Sequence, residues 1–219
     1  ACEYFKKAYL SEPHDNYLTG LALSEVKCGN FKDAITHYKT LASHHPEKTN
    51  FKYNLACCYD AIGEYNNAIV LLTHLVLLNP KSVSMMRKLA NIYLKIGKYP
   101  DAKELCEKII ILGNVSPEIY YEFANICVKT NDLDKAEKIL KKVIELNPEF
   151  AKAHKDLGVI YLSKRLFDYA EDEFKKGLKI APDDFDIVFE YANFLHSTIN
   201  FKEADKYYEK ALSLNEHNL

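Results

Sequence analysis

Alanine stands at Ala34, Ala68, Ala102, Ala136, Ala170 and Ala204, each 34 residues after the last. A fixed period of this length marks a chain built from stacked copies of one unit, each copy too small to bury its own apolar surface. Other positions keep the same step. Leu21, Leu55, Leu89, Phe123, Leu157 and Tyr191 are each followed by a small residue, Ala22, Ala56, Ala90, Ala124, Gly158 and Ala192. Phe31, Tyr65, Tyr99, Leu133, Phe167 and Phe201 share the period, and Pro46, Pro80, Pro148 and Pro182 close four of the copies. Asn114 replaces proline at the remaining inner boundary.

Within one copy the apolar residues recur at helical spacing twice. Phe51, Leu55, Cys58, Tyr59 and Ile62 form the first stripe, and Ala68, Leu71, Leu72 and Leu75 form the second, so each copy holds two amphipathic helices. Gly29, Gly63 and Gly97 fall between them, where a residue tolerant of left-handed backbone angles ends one helix and permits a tight turn. Asn131 suits the same place, whereas Arg165 and Ile199 suit it poorly. The closing prolines remove a backbone donor and disfavour helix at the residue before. Ser116 and Pro117 read as cap and first position of a helix, with Glu118 in its first turn.

Numbered so that the closing proline is position 32, the pattern places a large apolar residue at 7, a small one at 8, alanine at 20 and an apolar residue at 24. This resembles the tetratricopeptide repeat (TPR) over the whole chain. The resemblance implies an all-α fold, a right-handed superhelical solenoid of antiparallel helix pairs. Its copies would run from 15 to 48, 49 to 82, 83 to 116, 117 to 150, 151 to 184 and 185 to 218. Residues 1–14 would hold the second helix of a truncated copy, with Ala1, Phe5, Ala8 and Pro13 in phase, and 1–219 would form one continuous domain.

Composition narrows the function. The formal net charge is −2, with 27% charged residues, which lacks the basic excess of a nucleic-acid binder. The longest apolar run, Ala68 to Leu78, is interrupted by Thr73 and His74 and falls short of the roughly 18 residues that span a membrane. The six cysteines, at 2, 28, 57, 58, 106 and 127, follow neither metal-ligand spacing nor a disulfide framework, which favours a reducing, cytoplasmic compartment. No glycine-rich phosphate loop, His-Glu-x-x-His or glycine-flanked serine occurs, and no cofactor or metal is expected. His44 and His45 read as solvated loop histidines, and the segment is read as non-enzymatic.

What the chain presents is therefore surface. In the TPR family the first helix of each copy faces an inner groove through positions 2, 5, 6, 9, 12 and 13. By that resemblance the groove takes Asn50, Tyr53, Asn54 and Cys57 from the second copy, and Arg87, Lys88, Asn91 and Lys95 from the third. Glu118, Tyr121, Glu122, Asn125 and Lys129 follow from the fourth, and Lys152, Lys155, Asp156 and Val159 from the fifth. The sixth adds Asp186, Phe189, Glu190, Asn193 and His196. Asn54, Asn91, Asn125 and Asn193 resemble the asparagine ladder of some TPR arrays, in which each amide pairs with the backbone of an extended peptide. Arg87, Asn91 and Lys152 also match part of a carboxylate clamp known in TPR co-chaperones, but Glu122 and Asp156 would repel the ligand. The basic residues Arg87, Lys88, Lys129, Lys152 and Lys155 favour an acidic stretch of peptide.

The leading function is thus an interaction scaffold that binds a peptide or partner protein and supports complex assembly. Alternatives are the substrate-recruiting or regulatory arm of a larger enzyme, and a self-assembling array. Tyr207, Tyr208, Ala211 and Leu214 near the last residues would partly lie open, so the chain is expected to be an excerpt from a longer array, with end-to-end self-association as the alternative.

Overall fold

The structure, a computed structural model, describes residues 2–113 and 115–216. Its contacts group into two compact units, Ala1–Gly113 and Asn114–Leu219. Described helices of the first unit are α1 (Cys2–Ser11), α2 (Asp15–Lys27), α3 (Phe31–His44), α4 (Thr49–Ala61), α5 (Tyr65–Leu78), α6 (Val83–Lys95) and α7 (Tyr99–Ile111). Those of the second are α8 (Pro117–Lys129), α9 (Leu133–Leu146), α10 (Ala151–Ser163), α11 (Phe167–Ile180), α12 (Phe185–Ser197) and α13 (Phe201–Glu216). Among the described residues the fold is all-helical, and each helix packs on the next within its unit. Ala1, Asn114 and residues 217–219, which include Asn218 and Leu219 at the end of the last copy, lie outside the described residues.

One turn joins the two helices of every copy. Gly29, Gly63 and Gly97 have φ of 79°, 80° and 74°, and Asn131, Arg165 and Ile199 follow at 57°, 58° and 64°. In each case the next residue's N–H returns to the carbonyl five residues earlier, as from Asn30 to Glu25 at 2.9 Å and from Asn200 to Leu195 at 2.9 Å. This bond and the shorter one nested inside it satisfy carbonyls that the helix end leaves open. Arg165 and Ile199, ill-suited by residue type, adopt the same turn as glycine. At the boundary without proline, Gly113 takes φ 77° after α7, which has 13 residues against 14 in α5 and α9. Ser116 is the N-cap of α8 with extended backbone angles, but its side chain makes no cap hydrogen bond. Pro117 and Glu118 open the helix as expected.

The periodic alanines explain the close approach of paired helices. Ala34, Ala68, Ala102, Ala136, Ala170 and Ala204 are all 0% exposed, leaving no room for a longer side chain. The apolar position four residues later is filled by Tyr38, Leu72, Cys106, Leu140 and Phe174, all buried. Two helical glycines sit directly against phenylalanine rings. A Cβ on Gly158 would lie 3.0 Å from the Phe174 ring, and one on Gly20 would lie 2.5 Å from the Phe5 ring that packs α1 on α2. Of the residues suggested for end contacts, Ala211 is buried and Tyr207, Tyr208 and Leu214 are partly so.

Candidate functional site

Side chains of the first unit's first helices, α2, α4 and α6, converge on one face. On α6, Arg87, Lys88, Asn91 and Lys95 recur at spacings of three and four, which aligns them along one side of the helix. On α4, Tyr53, Asn54, Cys57 and Asp60 do the same. The two rows are tied together. Lys88 Nζ lies 2.7 Å from Asp60 Oδ2, and Lys95 Nζ lies 2.6 Å from Oδ1 of the same carboxylate. Burial alone would raise the Asp60 pKa, but hydrogen bonds from the two ammonium groups outweigh it and hold the carboxyl below its ordinary value. For Lys88 burial works against the charge, and the bond to Asp60 prevails, so its pKa is raised. Tyr53 shares a hydroxyl contact of 3.2 Å with Ser84. The amide of Asn91 has no protein partner among the described residues.

Beside this cluster is a pocket of about 200 Å³ lined by Leu23, Val26, Phe31, Tyr38, Asn54, Cys57 and Cys58. Its one phenol is satisfied, since Asn54 donates its amide to the Tyr38 hydroxyl at 3.4 Å. Burial pushes the Tyr38 hydroxyl up to about 12 and the Cys58 thiol up to about 11, so both stay protonated at neutral pH.

In the second unit α8, α10 and α12 carry the remaining expected residues. The Tyr121 ring packs against Phe150 with centroids 4.9 Å apart, and burial together with Asp156 drives its hydroxyl well above the ordinary phenol range. A side-chain hydrogen bond with Asn125 acts in the opposite direction and offsets part of that rise. Lys155 contacts Asp156 at 3.0 Å. Burial opposes its charge, yet Asp156, Asp186 and Glu190 together raise its pKa, so this lysine stands in acidic surroundings rather than in a basic stretch. Asn193 is engaged at both ends, donating to Glu190 at 3.3 Å and accepting from the Tyr208 hydroxyl at 2.9 Å. Phe189 stacks on Phe185 with centroids 5.7 Å apart and stays partly exposed. Lys129 and Lys152 are exposed.

The histidine pair differs from expectation. His44 Nδ1 lies 3.0 Å from Asp15 Oδ1 and His45 Nε2 lies 2.9 Å from Asp15 Oδ2, so the loop after α3 is tied to the first residue of α2. Among the described residues no group of three or more His, Cys, Asp or Glu side chains has a metal-binding arrangement. None of the described helices is long and apolar enough to cross a membrane. Asp60 is the residue that sequence reasoning left out. Its signal was an acid on the inner stripe of α4, but its partners lie 28 and 35 residues away and only the packing brings them together.

Helical hairpins that present polar first-helix faces are typical of interaction modules. The tetratricopeptide repeat family model matches residues 26–91, 94–157 and 128–188, and a second model of the same description matches 186–218. The chain belongs to the tetratricopeptide repeat family. Among solved structures it is similar to MamA, at 26% identity and a TM-score of 0.68 over 75% of this chain and 96% of that one. The C-terminal part of a TPR repeat-containing protein from Cytophaga hutchinsonii superposes with a TM-score of 0.81 at 18% identity, covering 98% of this chain and 89% of that one. YrrB, described as a TPR protein with an unusual peptide-binding site, gives a TM-score of 0.65 at 19% identity over 81% of this chain and 91% of that one. No curated protein matches the chain.

Proposed function

We propose that this chain is a protein-interaction scaffold whose first-helix faces hold an extended peptide segment of a partner and so support assembly of a complex. The observation that carries this reading is the Asn91 amide. It is half-buried on the face shared with Tyr53, Asn54 and Lys88, and has no protein partner among the described residues. Such an amide offers a donor and an acceptor together, which is what the backbone of an extended peptide needs. The likeness to YrrB supports a peptide as ligand. No catalysis is proposed for these residues. Buried Cys58, Cys106 and Cys127 act as core residues, which supports a reducing intracellular setting.

The test is selection of binders from a random peptide display library by the full chain, followed by affinity measurement on the Asn91→Ala variant. Loss of one uncharged hydrogen bond of about 1 kcal/mol weakens binding about 5-fold. The melting temperature is expected to stay within error of the parent. Unchanged affinity would remove Asn91 from the site.

A further inference from the structure

We infer that the first unit selects peptides in which an apolar side chain stands beside an acidic one, the apolar group entering the α2–α3–α4 pocket and the carboxylate meeting the Lys88–Lys95 pair. This rests on the peptide-binding reading of the first helices and adds the chemistry of the ligand.

The pocket of about 200 Å³ is smaller than the roughly 300–1,000 Å³ of sites for drug-sized ligands and suits a single leucine, methionine or phenylalanine side chain. Leu23, Val26, Phe31 and Cys58 supply apolar walls, and Tyr38 already has its hydrogen bond from Asn54. Leu23 is 46% exposed at the mouth, an apolar surface that an incoming side chain would cover. Cys57 connects the two halves of the site, since it lines the pocket and lies one helical turn before Asp60 on α4.

The charge argument is specific to this unit. Two cations of α6, Lys88 and Lys95, meet one anion of α4, Asp60. Because two ammonium groups share the Asp60 carboxylate, the cluster keeps a net positive charge that a ligand carboxylate complements. In the second unit Lys155 already has Asp156 at 3.0 Å and feels Asp186 and Glu190 as well, so an acidic ligand is disfavoured there.

The experiment uses the full chain and fluorescent octapeptides, amidated at the C-terminus so that only the side chain carries negative charge. The background is serine and alanine, and a Leu-Asp, Ser-Asp, Leu-Lys or Ser-Lys pair is placed two residues apart, so that both side chains point to one face of the extended peptide. Anisotropy titrations are expected to rank Leu-Asp first, with a loss of about 10-fold for Ser-Asp and for Leu-Lys, and a steeper salt dependence for the two Asp peptides. Leu23→Ser, which removes the apolar wall without adding a charge, should abolish the advantage of Leu over Ser while the melting temperature stays near the parent's. Lys95→Gln should reduce the advantage of Asp over Lys. Equal binding of all four peptides would overturn the selectivity while leaving a general peptide site intact. Absence of binding by these peptides and by the random library alike would overturn the peptide reading itself.

Discussion

At the scale of single residues, the fold shows how far neighbours can override preference. Ile199 holds φ 64°, a region that costs an L-residue roughly 1–2 kcal/mol, and branching at Cβ makes the fit worse. Ile199→Gly should therefore raise stability by about 1 kcal/mol, after part of the gain is offset by the greater freedom of glycine in the unfolded chain. A chemical denaturation midpoint no higher than the parent's would contradict strain at this turn. Gly158 makes the opposite case. Alanine there improves helix propensity by about 1 kcal/mol, but its Cβ would meet the Phe174 ring at 3.0 Å and overpacking costs typically 1–3 kcal/mol. Gly158→Ala is expected to destabilise alone and to become favourable when combined with Phe174→Leu, which reproduces the Ala124 and Leu140 pairing of the preceding copy. A double-mutant cycle should show coupling of about 1 kcal/mol, and strict additivity would deny the contact. Composition marked Gly29, Gly63 and Gly97 as turns from the sequence. It left Arg165 and Ile199 unsettled because their backbone angles are imposed by the packed helices on either side.

At the scale of elements, the two apolar stripes of the second copy fall on α4 and α5, and Gly29, Gly63 and Gly97 follow α2, α4 and α6, whereas Gly113 after α7 carried no mark in the repeat. The polar ties between elements were not legible. Buried His154 contacts Glu173 on α11 at 2.6 Å and the Pro148 carbonyl at 3.0 Å, joining α10 to the helix that follows it and to the loop before it. Such pairs recur at no fixed step, so a repeat pattern carries no trace of them; Asp60 escaped notice for the same reason. They have a pH consequence. Burial would raise the Glu173 pKa, but hydrogen bonds from His154 and Lys176 outweigh it and lower the folded value beneath the ordinary 4.5. A depressed carboxyl stabilises the fold above its unfolded pKa, and that contribution disappears as pH falls through the folded value. Thermal melts of the parent should thus drop below about pH 4.5 more steeply than those of Glu173→Gln, while the variant starts from a lower plateau near neutrality. Parallel curves would show that this ion pair does not contribute.

For the whole molecule, the strict 34-residue step means that a copy is interchangeable with its neighbours as a packing unit. Inserting a second copy of residues 49–82 directly after Ser82 should give a folded chain that melts at or above the parent temperature, because each added interface is a gain. Loss of helical circular dichroism would contradict an additive stack. The inner faces, by contrast, are not interchangeable. Their side chains differ from copy to copy, the first unit favouring cations and the second acids, so selectivity is written in the positions the period leaves free.

The left-handed turn shared by glycine, asparagine, arginine and isoleucine has a bearing on descent. When the surrounding hairpins dictate the path of the chain, an unsuitable residue at the bend is tolerated and inherited. Drift of this kind, multiplied over successive bends, lets spelling wander while shape stands still. A superposition at 0.81 with only 18% of residues in common shows one shape written with very different residues.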